Sequence, residues 1–239
     1  MGKSKIVIVG GGVAGLVAAC ELARAGKAVT VLEKAERFGG RAITVRKNGA
    51  LLNLGSHAFY RGGEAEKIFR ELGLSLRGGS PPPDVSVLRD GKVMPLTRFI
   101  MGRDFTWAGR FELARALVRL ARLDPVAEGA ADVDLRTWME RQLREPMARN
   151  LLYALVRTGT FTQSPDSQCA GPALAQARRP LRPGAGVYLE GGWQSIVDQL
   201  AGMAMRAGAE LLRSAGAEAI AHEDGRVRKG RLKDGSELE

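Results

Sequence analysis

The chain has 239 residues, 45% of them hydrophobic and 26% charged, which excludes wholesale disorder and fits an ordinary soluble globular protein. Lys and Arg outnumber Asp and Glu by 36 to 26, a net charge of +10, yet no stretch interleaves basic and aromatic residues in an RNA-binding pattern, so nucleic acid is not an expected partner. Cys20 and Cys169 belong to no CxxC or Cys/His ligand set, and no apolar run approaches the ~20 residues that span a bilayer, so the expectation is a reduced, cytoplasmic setting without structural metal.

Ile6-Val7-Ile8-Val9 is a short β-branched run ended by glycine, which reads as a central strand buried on both faces. From Val13 to Ala25 the apolar positions Val13, Leu16, Val17 and Cys20 recur at helical spacing, and Gly26 follows as a C-terminal cap. Val29 to Leu32 is a second strand, so the first 32 residues form one βαβ unit. The apparent lipoprotein-like stretch ending in Cys20 is the same helix, interrupted at its start by three adjacent glycines.

Two short strands between Arg41 and Leu54 flank Asn48-Gly49, a preferred hairpin dipeptide, and Glu64 to Leu72 reads as a helix stopped by Gly73. Pro81-Pro82-Pro83 breaks the chain, and Val85 to Leu88 and Lys92 to Leu96 flank Asp90-Gly91 as a second hairpin. The pattern then turns helical, at Phe111 to Leu123, Leu135 to Leu143, Met147 to Val156 and Gln168 to Arg178. After Gly186 the α/β pattern resumes: a strand at 187–189, a helix from Trp193 to Ala207, and strands at 210–212, 217–221 and 226–232. The expected organisation is one Rossmann-like α/β domain, residues 1–78 and 186–239, interrupted by a mainly helical insertion, residues 79–185.

The chemistry sits in the first turn. Gly10-Gly11-Gly12-Val13-Ala14-Gly15 satisfies G-x-G-x-x-G directly after a strand and at the opening of a helix, and Glu33 closes the next strand 21 residues beyond Gly12. Gly10 allows the tight turn, Gly12 lacks the Cβ that would meet a pyrophosphate, and Gly15 lets the helix approach closely. The diphosphate would lie on the free amides of the helix start, around Ala14, and Glu33 would accept hydrogen bonds from the adenosine ribose. NAD and FAD both satisfy this fingerprint.

The residues after Glu33 carry a resemblance that separates the two. Glu33-Lys34-Ala35-Glu36-Arg37-Phe38-Gly39-Gly40-Arg41 resembles the ribose glutamate and following Gly-Gly-Arg segment of the flavin amine oxidase, protoporphyrinogen oxidase and phytoene desaturase superfamily. The resemblance implies FAD as cofactor, with Gly40 among the residues that bind it and Arg41 at the flavin pyrophosphate. Asn53-Leu54-Gly55-Ser56-His57 is similar to the family's next flavin-side segment, in which Gly55 would admit the ring; His57 has two readings, a flavin or substrate contact and a structural role. Tyr188-Leu189-Glu190-Gly191-Gly192-Trp193 resembles the turn leading back into the flavin domain, and Ala217 stands where the family's backbone reads the adenine edge, commonly from a valine.

The resemblance also implies an oxidoreductase that removes hydride from an amine or from a hydrophobic, polyene-like small molecule, with no independent catalytic residue in this sequence. Family members continue with further strands and a Gly-Asp flavin contact, so the expectation is that the C-terminal part of the fold is missing from this chain and that Ile6 to Val9 is left as an open edge. Two further readings follow: an FAD-binding pseudoenzyme, and a half-protein that pairs with a second chain. Arg115, Arg119 and Arg122 share one face of the predicted helix at 111–123, which reads either as a solvated face or as a peripheral contact with anionic lipid.

Overall fold

The computed structural model describes residues 6–81, 84–122, 130, 132–179 and 184–238. In chain order the elements are β1 (Ile6–Val9), α1 (Val13–Arg24), β2 (Val29–Leu32), β3 (Thr44–Lys47), β4 (Ala50–Asn53), β5 (Phe59–Tyr60), α2 (Glu64–Leu72), β6 (Gly78–Gly79), β7 (Ser86–Arg89) and β8 (Lys92–Pro95). Five helices follow, α3 (Leu96–Met101), α4 (Trp107–Arg122), α5 (Leu135–Gln142), α6 (Pro146–Thr160) and α7 (Ala170–Ala177). The chain then forms β9 (Gly186–Leu189), α8 (Gln194–Arg206), β10 (Glu210–Leu212), β11 (Ala217–Glu223), β12 (Arg226–Leu232) and β13 (Glu237–Leu238). Two compact units result, Met1–Gly79 with Val187–Glu239, and Ser80–Gly186.

The first unit is built on a parallel sheet of order β1-β2-β10, with Val7 opposite Thr30 and Leu211 opposite Val31. All four residues of β2 are buried, so β2 is the central strand. The reading of β1 as buried on both faces is corrected: Ile6 and Ile8 join the core, but Val7 and Val9 are 37% and 59% exposed, because no strand among the described residues pairs with the free side of β1.

Helices α1 and α8 cover one face of this sheet. Small side chains on α1, Ala19, Cys20 and Ala23, meet Ile196, Leu200 and Ala204 of α8 in one apolar cluster. The Cys20 thiol donates to the Leu200 carbonyl at 3.3 Å, and burial pushes its pKa up, so it acts as an inert core group. At the other end of α1, Arg24 donates to the Leu72 carbonyl at 2.9 Å and so caps α2, which ends at Gly73 in the left-handed region (φ 85°). Strands β11, β12 and β13 form a separate antiparallel ribbon, of which Leu232 is buried.

Hairpin β3–β4 turns at Asn48 and Gly49, with φ of 52° and 78°, the paired left-handed conformations that a two-residue hairpin loop demands. Hairpin β7–β8 does the same at Asp90 and Gly91, φ 48° and 74°.

The second unit has its own core, centred on Leu135, Trp138, Met139, Leu152 and Leu174. Helix α4 starts at Trp107, a turn earlier than the apolar spacing predicts, because the Thr106 hydroxyl accepts the Gly109 amide at 2.9 Å and sets the first turn. The predicted last residue, Leu123, lies outside the described residues. Arg115 and Arg119 reach across to Gln142, at 3.4 Å to its carbonyl and 2.7 Å to its Oε1, and so meet the C-terminal end of α5, where cations are favoured. Among the described residues no helix is long and apolar enough to cross a membrane.

Candidate dinucleotide-binding site

The site begins where β1 runs out. Gly10 turns the chain with φ 107°, a conformation that L side chains rarely adopt, and its amide donates to the Leu32 carbonyl at 2.7 Å, tying the turn to β2. Gly15 abuts that turn so closely that a Cβ would stand 2.0 Å from the Gly10 carbonyl oxygen and 3.3 Å from Ile8 Cγ2. Gly11 is equally constrained, since a Cβ there would meet the Phe38 ring at 2.3 Å. Gly12 is different: its φ is an ordinary −76°, and the nearest atom to a Cβ is the Gly39 oxygen at 3.9 Å. Gly10 is therefore explained by its backbone conformation, Gly11 and Gly15 by the protein's own packing, and Gly12 by the space in front of it.

Glu33 completes the turn. It is 7% exposed, and its carboxylate accepts the Gly11 amide at 2.8 Å through Oε2 and the Ala35 amide at 2.9 Å through Oε1. Each oxygen keeps a lone-pair direction in excess of those bonds. The loop after it returns to the turn, with the Gly39 amide donating to the Gly11 carbonyl at 2.8 Å and Gly12 and Gly39 forming a parallel bridge. Gly40 (φ 54°) brings its backbone beside Gly12, 3.7 Å from a built Cβ to the Gly12 Cα.

These segments bound a cavity of about 730 Å³, inside the usual range of about 300–1,000 Å³ for a cofactor or ligand site. Gly12, Ala14, Arg41 and Ser56, from three stretches of sequence, line it. So do Phe69 and Trp193, whose place at a cavity wall depends on the tertiary fold and has no local sequence signal beyond the preceding Gly191-Gly192 pair. The first turn of α1 has no side-chain cap and no acidic residue, leaving its amides and the positive end of the helix for an anion. Arg41 adds a fixed cation.

The remaining candidates divide. Gly55 packs on Arg41, where a Cβ would lie 2.1 Å from the Arg41 carbonyl oxygen, so its glycine holds the 53–57 segment against the 40–42 turn. The His57 carbonyl accepts from Asn53 Nδ2 at 3.4 Å, and His57 is not among the cavity-lining residues. Ala217 is not either; it lines a second groove with Val7, Val9 and Leu32, between β1 and the β11–β13 ribbon. Among the described residues no cluster of three His, Cys, Asp or Glu side chains is arranged for a metal.

The uncapped helix start, the open face of Gly12 and the guanidinium of Arg41 suit the diphosphate of a dinucleotide, while Glu33, bonded to the Gly11 amide behind the turn, is not among the cavity-lining residues. A parallel βαβ sheet carrying such a turn defines a dinucleotide-binding α/β protein. The family model for flavin containing amine oxidoreductases matches residues 13–239, and the chain belongs to that family, whose cofactor is FAD.

Coproporphyrinogen III oxidase of Propionibacterium freudenreichii subsp. freudenreichii is 40% identical over 95 residues, covering 38% of this chain and 18% of that protein. Amine oxidase [flavin-containing] B of Mus musculus is 34% identical over 113 residues, 46% of this chain and 19% of that protein. In fold, the chain is similar to putrescine oxidase solved with bound putrescine, with a TM-score of 0.75 at 21% identity over 98% of this chain and 55% of that one. The chain thus spans about half the length of that solved structure, and its matches to the two curated relatives cover under a fifth of each.

Proposed function

We propose that this chain carries the FAD-binding turn and part of the substrate-side insertion of an oxidoreductase of the amine oxidase type. The observation that carries the reading is the Gly10–Gly15 turn: Gly10 is set by its left-handed φ and Gly11 and Gly15 by close packing, whereas Gly12 faces open cavity beside an uncapped helix start and Arg41. In this reading the amides around Ala14 and the Arg41 guanidinium hold the diphosphate, and Glu33 holds the adenosine ribose. Gly40, Gly55 and Ser56 form the flavin side, His57 has either a flavin or substrate contact or a structural role, and Ala217 forms the adenine side. When bound, FAD supplies the capacity to accept hydride from a C–H bond next to nitrogen or within a conjugating chain. The residues of this chain bind, orient and shield it, and none is assigned as an acid, base or nucleophile.

The substrate in this reading is a small amine or a hydrophobic, polyene-like molecule. Titration of the purified chain with FAD, ADP and NAD, followed by flavin absorbance and fluorescence, tests the reading. Uptake of FAD and ADP with weaker NAD binding supports it; no uptake of any of the three overturns it.

A second observation favours a half-protein that pairs with another chain. The free side of β1 exposes Val7 and Val9 to a groove of about 290 Å³ that Ile220, Val227 and Leu238 also line, and an open apolar strand edge is a template for a further strand. Co-purification with a polypeptide that increases FAD affinity would support this; a monomer with full flavin occupancy would oppose it. Peripheral membrane contact has a weaker basis in exposed Trp107 and Phe111 on α4, with Arg110 stacked on Trp107 at 4.5 Å, and vesicle flotation tests it.

A further inference from the structure

Helix α8 has no cap of its own. Trp193 stands at its N-cap position without a side-chain hydrogen bond, yet the first amides are satisfied from hairpin β3–β4, about 140 residues earlier. Thr44 Oγ1 accepts the Gln194 amide at 3.1 Å, and Asn53 Oδ1 accepts the Trp193 amide at 3.2 Å. Thr44 and Asn53 are themselves paired across the hairpin, and the Thr44 hydroxyl donates to Asn53 Oδ1 at 2.7 Å. This leaves the Thr44 oxygen lone pairs for Gln194, so the donors and acceptors form one consistent set.

Thr44 is 6% exposed, one of three polar residues buried among the described ones. The guanidinium of Arg37 locks the same joint from outside, donating to the Thr44 carbonyl at 3.2 Å and to Gln194 Oε1 at 3.0 Å. The fit is close enough that a Cβ on Gly192 would lie 2.4 Å from Thr44 Oγ1 and 2.6 Å from Asn53 Oδ1.

This joint connects two parts of the cavity lining. Through Trp193 it sets an aromatic wall, in which Trp193 lies edge-on to Phe59 at 5.9 Å and Phe59 stacks on Phe69 at 6.0 Å. Through Asn53 Nδ2, which donates to the His57 carbonyl at 3.4 Å, it sets the segment that carries Ser56 into the cavity. We propose that Thr44 and Asn53 are positioning residues for flavin binding: from one hairpin they cap α8 and hold the Trp193 wall in register with the Ser56 segment. The inference rests on the FAD-binding reading above and adds the residues that fix the shape of the site without lining it.

The test uses the full chain and four variants, Thr44→Val, Thr44→Ser, Asn53→Ala and the double variant Thr44→Val/Asn53→Ala. Asn53→Ala removes the acceptor of the Trp193 amide from a half-buried position, and so keeps the test open should Thr44→Val fold poorly. Three quantities are read: FAD affinity, the emission maximum of Trp193 without cofactor (as the difference from a Trp193→Phe background), and energy transfer from Trp193 to flavin at saturation.

Thr44→Val and Asn53→Ala are each expected to weaken FAD binding about tenfold, the factor that corresponds to one lost hydrogen bond. They should also red-shift Trp193 and lower its transfer to flavin. Thr44→Ser should restore all three, and the Thr44→Val/Asn53→Ala double variant should lose little more than either single one, since both act on one cap. A lowered melting temperature or shifted emission with FAD affinity unchanged would mean a merely structural cap and overturn the inference. Uptake of FAD by the unaltered chain, with variants that bind within twofold of it, overturns this inference alone; no uptake by the unaltered chain overturns the parent reading.

Discussion

The buried carboxylate of Glu33 and the amide of Gly11 meet at 2.8 Å, so the acid that would grip the ribose also fastens the glycine turn to the end of β2. In the proposed reading one side chain serves the fold and the ligand at once, and substitutions should separate the two roles. Glu33→Gln keeps an acceptor for one amide and should retain most of the stability, while adenosine affinity, read with ADP, falls about tenfold. Glu33→Ala leaves the Gly11 and Ala35 amides without their charged partner and should cost about 2 kcal/mol of stability as well. Denaturant midpoints and ADP titrations on the two variants check the split; equal loss of ADP binding without loss of stability in the alanine variant would contradict it.

The motif glycines separate in the same manner. Gly15→Ala places a methyl 2.0 Å from the Gly10 carbonyl oxygen and should destabilise the protein by about 3 kcal/mol before any ligand is added. Gly12→Ala meets nothing closer than 3.9 Å and should change stability by less than about 1 kcal/mol, yet weaken FAD at least about tenfold by filling the cradle. Thermal melts in the absence and presence of FAD distinguish the two: the first variant shifts both curves, the second only the curve with ligand.

The contrast between these glycines shows what the sequence could and could not disclose. The βαβ unit, both Asx-Gly hairpins and helix Glu64–Leu72 were legible, because a β-branched run, a helical spacing and a left-handed dipeptide are local properties. Helix α3 was not, since its first residue, Leu96, continues the apolar strand pattern of β8 and its N-cap, Pro95, also closes that strand. The edge position of β1 could not be read from Ile6 to Val9 either, because burial of a strand's second face depends on a neighbour that its own residues do not specify. In the candidate site, Gly12, Ala14, Arg41 and Ser56 stand in recognisable local contexts, whereas Trp193 reaches the cavity only through Asn53 and Thr44, 140 and 150 residues from their partners in the chain.

The helical unit should show an acid dependence traceable to Asp134. Its carboxylate caps α5, accepting the Thr137 amide at 2.8 Å and the Thr137 hydroxyl at 2.7 Å, and the amide bond first, then the hydroxyl, hold its pKa below the usual carboxylate range. A depressed folded pKa adds stability that is present above the unfolded value of about 3.9 and is lost as pH falls through the lower folded value. Asp134→Ala should therefore lower the unfolding midpoint at neutral pH, and the gap to the unaltered chain should close in acid. Asp134→Ser, which caps without charge, should keep a gap to Asp134→Ala at every pH; midpoints measured at neutral pH and near pH 3 decide, and a gap that widens in acid would contradict the assignment.

The open side of β1 makes a prediction about behaviour in solution. Val9 is 59% exposed on a strand whose outer backbone groups have no partner strand among the described residues. Val9→Lys should leave the melting temperature within a few degrees while reducing concentration-dependent association, as lysine on an edge does elsewhere. Light scattering over a dilution series reads this directly, and unchanged association would show that another surface is responsible.

The chain leaves and re-enters its first unit through a single antiparallel stem. Gly78 and Gly79 pair with Leu189 and Tyr188, the Glu190 amide closes on the Arg77 carbonyl at 3.0 Å, and Gly78 must be glycine because a Cβ would strike the Tyr188 oxygen at 2.3 Å. Departure and return points held side by side make everything threaded between them an exchangeable module. A different excursion grafted onto the same two strands would leave the Gly10–Gly15 turn undisturbed, so the insertion is open to replacement by evolution or engineering.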